Sequence, residues 1–152
     1  MRAPALLVFL TFVSCAHAVD SLSPGQLPLM VADNLEYDST SVSFRFLLSG
    51  HESIPSVVDG RIVENVHLRI AAVRACDGKS VPYLVEDYFP APPERSDLVT
   101  LQPHYHYGTD LKFTVFKRPG PECILADFLF WPGVGPATLT APLSLRFEAK
   151  PK

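Results

Sequence analysis

The sequence predicts an all-β fold, an antiparallel β-sandwich of about seven strands. Short apolar/polar alternations begin at Ser41 and recur to Glu148, with the period of two that marks half-buried strands. The 15 prolines lie between these runs rather than in one tract, so they punctuate many short elements. No segment carries a convincing helical pattern. Only Arg61 to Cys76 fits both spacings, and its β-branched content favours strand.

The 152 residues suit one domain preceded by a processed segment. Residues 1–18 combine Arg2, an apolar run from Ala5 to Val13 and the small-residue site Ala16-His17-Ala18, which reads as a secretory signal peptide. Residues 19–40, with Pro24, Gly25 and Pro28, are expected to form an extended N-terminal arm in which Leu29, Met30 and Val31 make a short edge strand. Residues 41–150 then form a single β-sandwich domain. The Ala5 to Val13 run is shorter than the ~20 residues that cross a bilayer as a helix, so no transmembrane segment is expected. Phe12-Val13-Ser14-Cys15 resembles a bacterial lipobox, with Phe where Leu is usual. A lipid anchor at Cys15 is therefore the alternative to a secreted or periplasmic protein.

Removing residues 1–18 takes away Arg2 and leaves 12 Lys and Arg against 16 Asp and Glu, a net charge of −4. Without a basic run, nucleic acid and anionic membranes are disfavoured as partners. Cys76 and Cys123 form an even pair in an oxidising compartment and are expected to be bridged. Such a loop is worth about 4 kcal/mol in the chain-entropy model.

In order, Val42, Phe44, Phe46 and Leu48 face one way while Ser43 and Arg45 face the other. His51 to Gly60, with Pro55 and Asp59-Gly60, reads as a loop ending in a turn. Arg61 to Cys76 is a strand, Asp77-Gly78 a turn, and Val81 to Val85 its hairpin return. Phe89 to Ser96, with Pro90, Pro92 and Pro93, is a stiff crossover. Leu98 to Tyr107 is a short strand running into a corner. Leu111, Phe113 and Val115 then alternate with Lys112 and Thr114, Arg118-Pro119-Gly120-Pro121 turns, and Cys123 to Trp131 returns. That pair is expected to be a central hairpin, since Cys123 to Trp131 is apolar on both faces apart from Asp127. Asp127 is expected on an outward-facing position at a sheet edge. In the last strand Leu139, Ala141, Leu143, Leu145 and Phe147 share a face, and Pro142 makes it an edge.

The Leu, Pro and Tyr spacing of Leu101-Gln102-Pro103-His104-Tyr105-His106-Tyr107 resembles the corner segment of fibronectin type III domains, where a tyrosine hydroxyl ties the corner to the backbone. The resemblance covers seven residues, and the early tryptophan of such domains is missing. With the strand and turn pattern, which itself argues for an immunoglobulin-like sandwich, it supports an immunoglobulin/fibronectin-III-like architecture.

The chemistry-bearing residues are few. His104 and His106 would share a face about 7 Å apart on an extended strand, so both could reach one copper or zinc ion. Asp110 is the nearest carboxylate, and His51, His67 or Met30 are candidate further ligands. No Gly-x-Ser-x-Gly elbow, phosphate-binding loop or dinucleotide motif is present. Adjacent Glu86 and Asp87 face opposite ways on a strand and make no acid/base pair. The expectation is therefore a non-enzymatic binding or accessory protein. It would meet a protein or glycan partner in the envelope or extracellular space through Tyr83, Tyr88, Phe89, Tyr105 and Tyr107, aromatics at strand ends and corners. A periplasmic or extracellular metal-binding protein using the His-x-His pair is the alternative.

Overall fold

The structure, a computed structural model, describes residues 27–53, 55–62, 66–85, 89–116, 120–135 and 137–150. The expected export signal, Cys15 and the start of the N-terminal arm lie outside the described residues. So do Glu86, Asp87, Tyr88 and the Arg118-Pro119 part of the expected turn.

The described residues form an all-β fold with nine strands: β1 (Leu29–Tyr37), β2 (Ser41–Ser49), β3 (Ser56–Asp59), β4 (Leu68–Ala75), β5 (Tyr83–Leu84), β6 (Leu98–Leu101), β7 (Tyr107–Val115), β8 (Cys123–Phe130) and β9 (Ala141–Glu148). A 3-10 turn, Arg95–Asp97, precedes β6. Every pair is antiparallel, in a four-stranded sheet β1-β2-β7-β5, a three-stranded sheet β4-β8-β9 and a two-stranded pair β3-β6.

Alternation decides which side chains meet. Val42, Phe44, Phe46 and Leu48 of β2 and Leu111, Phe113 and Val115 of β7 are buried, while Arg45, Lys112 and Thr114 face out. From the other sheet, Ile124, Ala126, Phe128 and Phe130 of β8 and Phe147 of β9 turn inward. The two larger sheets therefore face each other across interleaved phenylalanines. Phe44 meets Phe128 and Phe147 at centroid distances of 5.2 and 5.9 Å, Phe46 meets Phe130 at 5.4 Å, and Phe113 meets both Phe128 and Phe147 edge-on. Each such ring pair adds about 0.5–1.5 kcal/mol to the burial itself.

Several expectations need correction. β7 and β8 do not make a hairpin: β7 pairs with β2 and β5, whereas β8 pairs with β4 and β9. Successive strands β7 and β8 thus belong to different sheets. Val81 to Val85 does not return along β4 either. After one bridge, Arg74 to Ser80, and the bond from Val81 N–H to Val73 O at 2.9 Å, Tyr83 and Leu84 cross to pair with β7. The expected loop at His51 to Gly60 contains β3, which is too short to show a period. β1 spans nine residues rather than three, because its alternation is interrupted by a bulge between Asp33 and Glu36 at left-handed Asn34 (φ 51°).

Other expectations stand. Arg61 to Cys76 contains a strand, β8 is central, and β9 is at the edge of its sheet. Asp127 faces outward as expected, but on the central strand of its sheet rather than at an edge, and it accepts hydrogen bonds from Arg74 and, at 2.7 Å, from Ser144. Cys76 and Cys123 are bonded with Cα atoms 5.5 Å apart, next to the Ala75–Ile124 register pair. The bridge thus staples neighbouring strands of one sheet.

Candidate functional site

The molecule has two unlike ends. Around the disulfide, the ladders continue into the connections: Cys76 N–H donates to Cys123 O, Lys150 N–H to Tyr37 O and Val115 N–H to Thr40 O. At the other end β2 finishes, β7 begins beside it, and β8 finishes beside the start of β4. The candidate residues from the sequence gather mainly there.

Leu101 ends β6 and Tyr107 begins β7, so His104, Tyr105 and His106 lie on a turn and not on a strand. His104 is left-handed (φ 64°), which removes the expected same-face alternation of the two imidazoles. Both ends of the corner are held. Gly50 N–H donates to Gln102 O at 3.2 Å, and the Tyr107 hydroxyl donates to Gly60 O at 2.6 Å. Gly50 is required here, since a Cβ would come within 2.4 Å of Leu101 O. A tyrosine hydroxyl therefore ties this corner to the backbone, reaching 47 residues back to the turn after β3.

On one side of the corner is a cleft of about 580 Å³ that brings together His51, Glu52, His104 and His106 beside Leu29. His104 Nε2 lies 3.9 Å from Glu52 Oε1, and His51 Nε2 donates to Leu27 O at 2.7 Å. Asp110 is elsewhere. It pairs with Arg45 at 2.9 Å on the outer face of the four-stranded sheet. Met30 packs partly buried against the core. Among the described residues no three His, Cys, Asp or Glu side chains converge at ligand distance.

On the other side of Gly60 is a second groove, of about 420 Å³, built on a buried polar cluster. The Asp59 side chain is fully buried, and its carboxylate accepts from Arg61 Nε at 2.9 Å, Arg61 NH2 at 2.6 Å and the Arg61 backbone N–H at 3.0 Å. His67, itself buried, places Nε2 3.2 Å from the same carboxylate and stacks on Trp131 at 5.7 Å. Burial is the largest single influence and by itself would raise the Asp59 carboxyl; the hydrogen bonds from the Arg61 side chain and backbone, together with the positive charges of Arg61 and of protonated His67, outweigh it and hold the group below its usual range. Burial also pushes His67 below the ordinary imidazole value, against the pull of Asp59. His67 is thus neutral at pH 7, with Nε2–H donated to Asp59.

The local chain makes this cluster fit. Trp131 N–H donates to His67 O and Asp59 N–H to Pro132 O, which dock the end of β8 onto β3 and β4. Gly133 is left-handed (φ 80°), and a Cβ on it would lie 2.4 Å from Asp59 Cβ and 2.9 Å from His67 Nε2. Arg61 NH1 donates to Ala91 O at 3.2 Å, so the guanidinium also fastens the proline-rich strap Phe89 to Pro93 that walls the groove. Locally, Asp59-Gly60 reads only as a turn and His67 and Trp131 only as the ends of apolar runs. The clustering comes from long-range pairing.

The expected aromatic surface divides. Phe89 is 92% and Tyr105 75% exposed, and Tyr107 is 38% exposed with its hydroxyl committed to Gly60. Tyr83 is engaged inward, edge-on to Phe113 at 6.5 Å and with its hydroxyl 3.3 Å from Ile70 O. Tyr88 lies outside the described residues. In comparisons with known proteins the chain matches no family model, and no curated protein and no solved structure matches it.

Proposed function

We propose that the protein is an exported, non-enzymatic binding or accessory protein that meets a protein or glycan partner in the envelope or extracellular space, using the end of the fold opposite the disulfide. The observation that carries this reading is the placement of Phe89 and Tyr105, the two most exposed aromatics among the described residues. Tyr105 stands two residues before Tyr107, whose hydroxyl is bonded to Gly60 O, and Phe89 lines the groove that Asp59 and Arg61, on either side of Gly60, also line. A ring left in water is a large apolar area with few rotamers to lose on contact, which is why such residues anchor interfaces. The rigid ladders beneath hold those loops in place.

The same proposal assigns the chain an immunoglobulin-like sandwich. The facing phenylalanine layers and the corner tyrosine support that assignment. The departures are a disulfide within one sheet rather than between sheets, and a tyrosine bond that reaches far back in the chain.

The test places a photo-crosslinking residue at 89 or 105 and, as control, at 144 on the opposite sheet. The reading expects one partner captured from both test positions and not from 144, and binding of that partner weakened at least about tenfold by Phe89→Ser with Tyr105→Ser. Equal capture from 144, or undiminished binding by the double variant, removes this reading.

A further inference from the structure

The cleft beside the corner carries a second, independent reading. Its side chains are three imidazoles and a carboxylate, contributed by two segments that fifty residues of chain separate: His51 and Glu52 after β2, His104 and His106 before β7. That donor set suits a borderline divalent ion rather than a hard one, which prefers oxygen, or a soft one, which prefers sulfur.

The tautomer of His51 points the same way. A carbonyl oxygen can only accept, so the 2.7 Å contact to Leu27 O puts a proton on Nε2, and in the neutral ring the lone pair is then on Nδ1. A backbone carbonyl holding the far N–H is the arrangement that orients metal-ligating histidines. The left-handed backbone at His104 adds a local distortion, kept in place by the bonds at Gly50 and Tyr107 on either side.

We propose that this cleft binds one divalent transition-metal ion, Zn2+ or Cu2+, through His51, His104 and His106 as nitrogen ligands and Glu52 as oxygen ligand, with no part for Asp110. The ligands are not yet at coordination distance. Binding draws them in by rotation of side chains that little else restrains, those of His104 and Glu52 being 81% and 84% exposed. Asp110 is excluded because its carboxylate is paired with Arg45 on the outer sheet face. The site does not depend on a macromolecular partner, and its readout is affinity for the ion alone.

The experiment titrates the purified chain, stripped with chelator, with Zn2+ and separately with Cu2+ in a non-coordinating buffer. Four proteins are compared: wild type, His51→Gln, His104→Ala and Asp110→Asn. Glutamine at 51 keeps an amide N–H for Leu27 O while removing the ring nitrogen that would bind the ion. One ion per chain is expected, weakened at least about tenfold in His51→Gln and His104→Ala and changed less than about twofold in Asp110→Asn. The proposal is overturned if wild type binds neither ion, if His51→Gln binds like wild type, or if Asp110→Asn loses as much as His104→Ala. Should His51→Gln not fold, ring-nitrogen NMR of the wild type decides. Zn2+ must shift His51 Nδ1, and an unmoved Nδ1 ends the proposal.

Discussion

Replacing Asp59 by alanine should be among the most damaging single changes in the chain, although no apolar core is touched. The Asp59 carboxylate is fully buried and serves three donors of Arg61 together with His67 Nε2. Truncation leaves a buried imidazole N–H without its acceptor, at about 1–3 kcal/mol. It also breaks a buried ion pair, for which removing one partner costs about 3–5 kcal/mol when both charges are dry. The Arg61 side chain keeps 31% exposure and has Asp97 at 3.6 Å, so water and a second carboxylate recover part of that cost. The working figure is a loss of about 3 kcal/mol, a large share of the ~5–15 kcal/mol that stabilises a domain. Asp59→Asn retains an acceptor oxygen but loses the charge, and should fall between wild type and Asp59→Ala. The assay is urea unfolding followed by the fluorescence of Trp131, the only tryptophan, with far-UV circular dichroism in parallel. Trp131 stacks on His67 and reports the cluster directly, while the dichroism reports the sheets. If Asp59→Ala stays within about 0.5 kcal/mol of wild type, as ordinary surface changes do, the account of the cluster is wrong.

Three further outcomes follow from the same end of the molecule. Because burial depresses His67 below its ordinary 6.5, the unfolded chain takes up a proton first as pH falls. Stability should therefore decline as pH falls through about 6.5, with Asp59 adding a second loss below 3.8, where the unfolded carboxyl is protonated before the folded one; urea midpoints from pH 8 to about 2 check this, and a flat profile between about 7 and 5 opposes it. Tyr107→Phe removes the bond to Gly60 O and should cost about 0.5–1.5 kcal/mol, measured by the same unfolding curves. Gly133→Ala meets both a left-handed φ and a close approach to Asp59 and His67, so it should destabilise by more than the ~1 kcal/mol that such a change gains at a compatible site; a neutral or stabilised variant contradicts the packing.

Most strands were readable because alternation is a local property. Leu111, Phe113 and Val115, or Ile124, Ala126, Phe128 and Phe130, announce a buried face whatever the strand pairs with. Alternation does not announce the neighbour. A Pro-Gly turn between two such runs serves equally for a hairpin and for a passage between sheets, and β7 to β8 is the second kind. β3 is hidden for a related reason: of its four residues, buried Ser56 and Asp59 have the polarity of a loop. The corner is legible through Tyr107, but sequence spacing alone places its histidines on an extended strand. Only the backbone turn at His104 shows that His51 and Glu52, not Asp110, share their cleft.

The Asp59 cluster is the part of this end that local sequence pattern announces least. A buried carboxylate needs donors, and no local motif advertises Asp59-Gly60-Arg61 together with a histidine eight residues after Asp59 and the lone tryptophan of a distant strand. The cluster exists because β8 ends where β4 begins and β3 is docked against both through Pro132. Its polar bonds then reach outward, from Arg61 to the strap at Ala91 and from Gly60 to the corner at Tyr107. The buried network thus has its consequences at the surface. It ties down the two loops that carry Phe89 and Tyr105, so on the proposed reading these aromatics would lose less ordering entropy on contact.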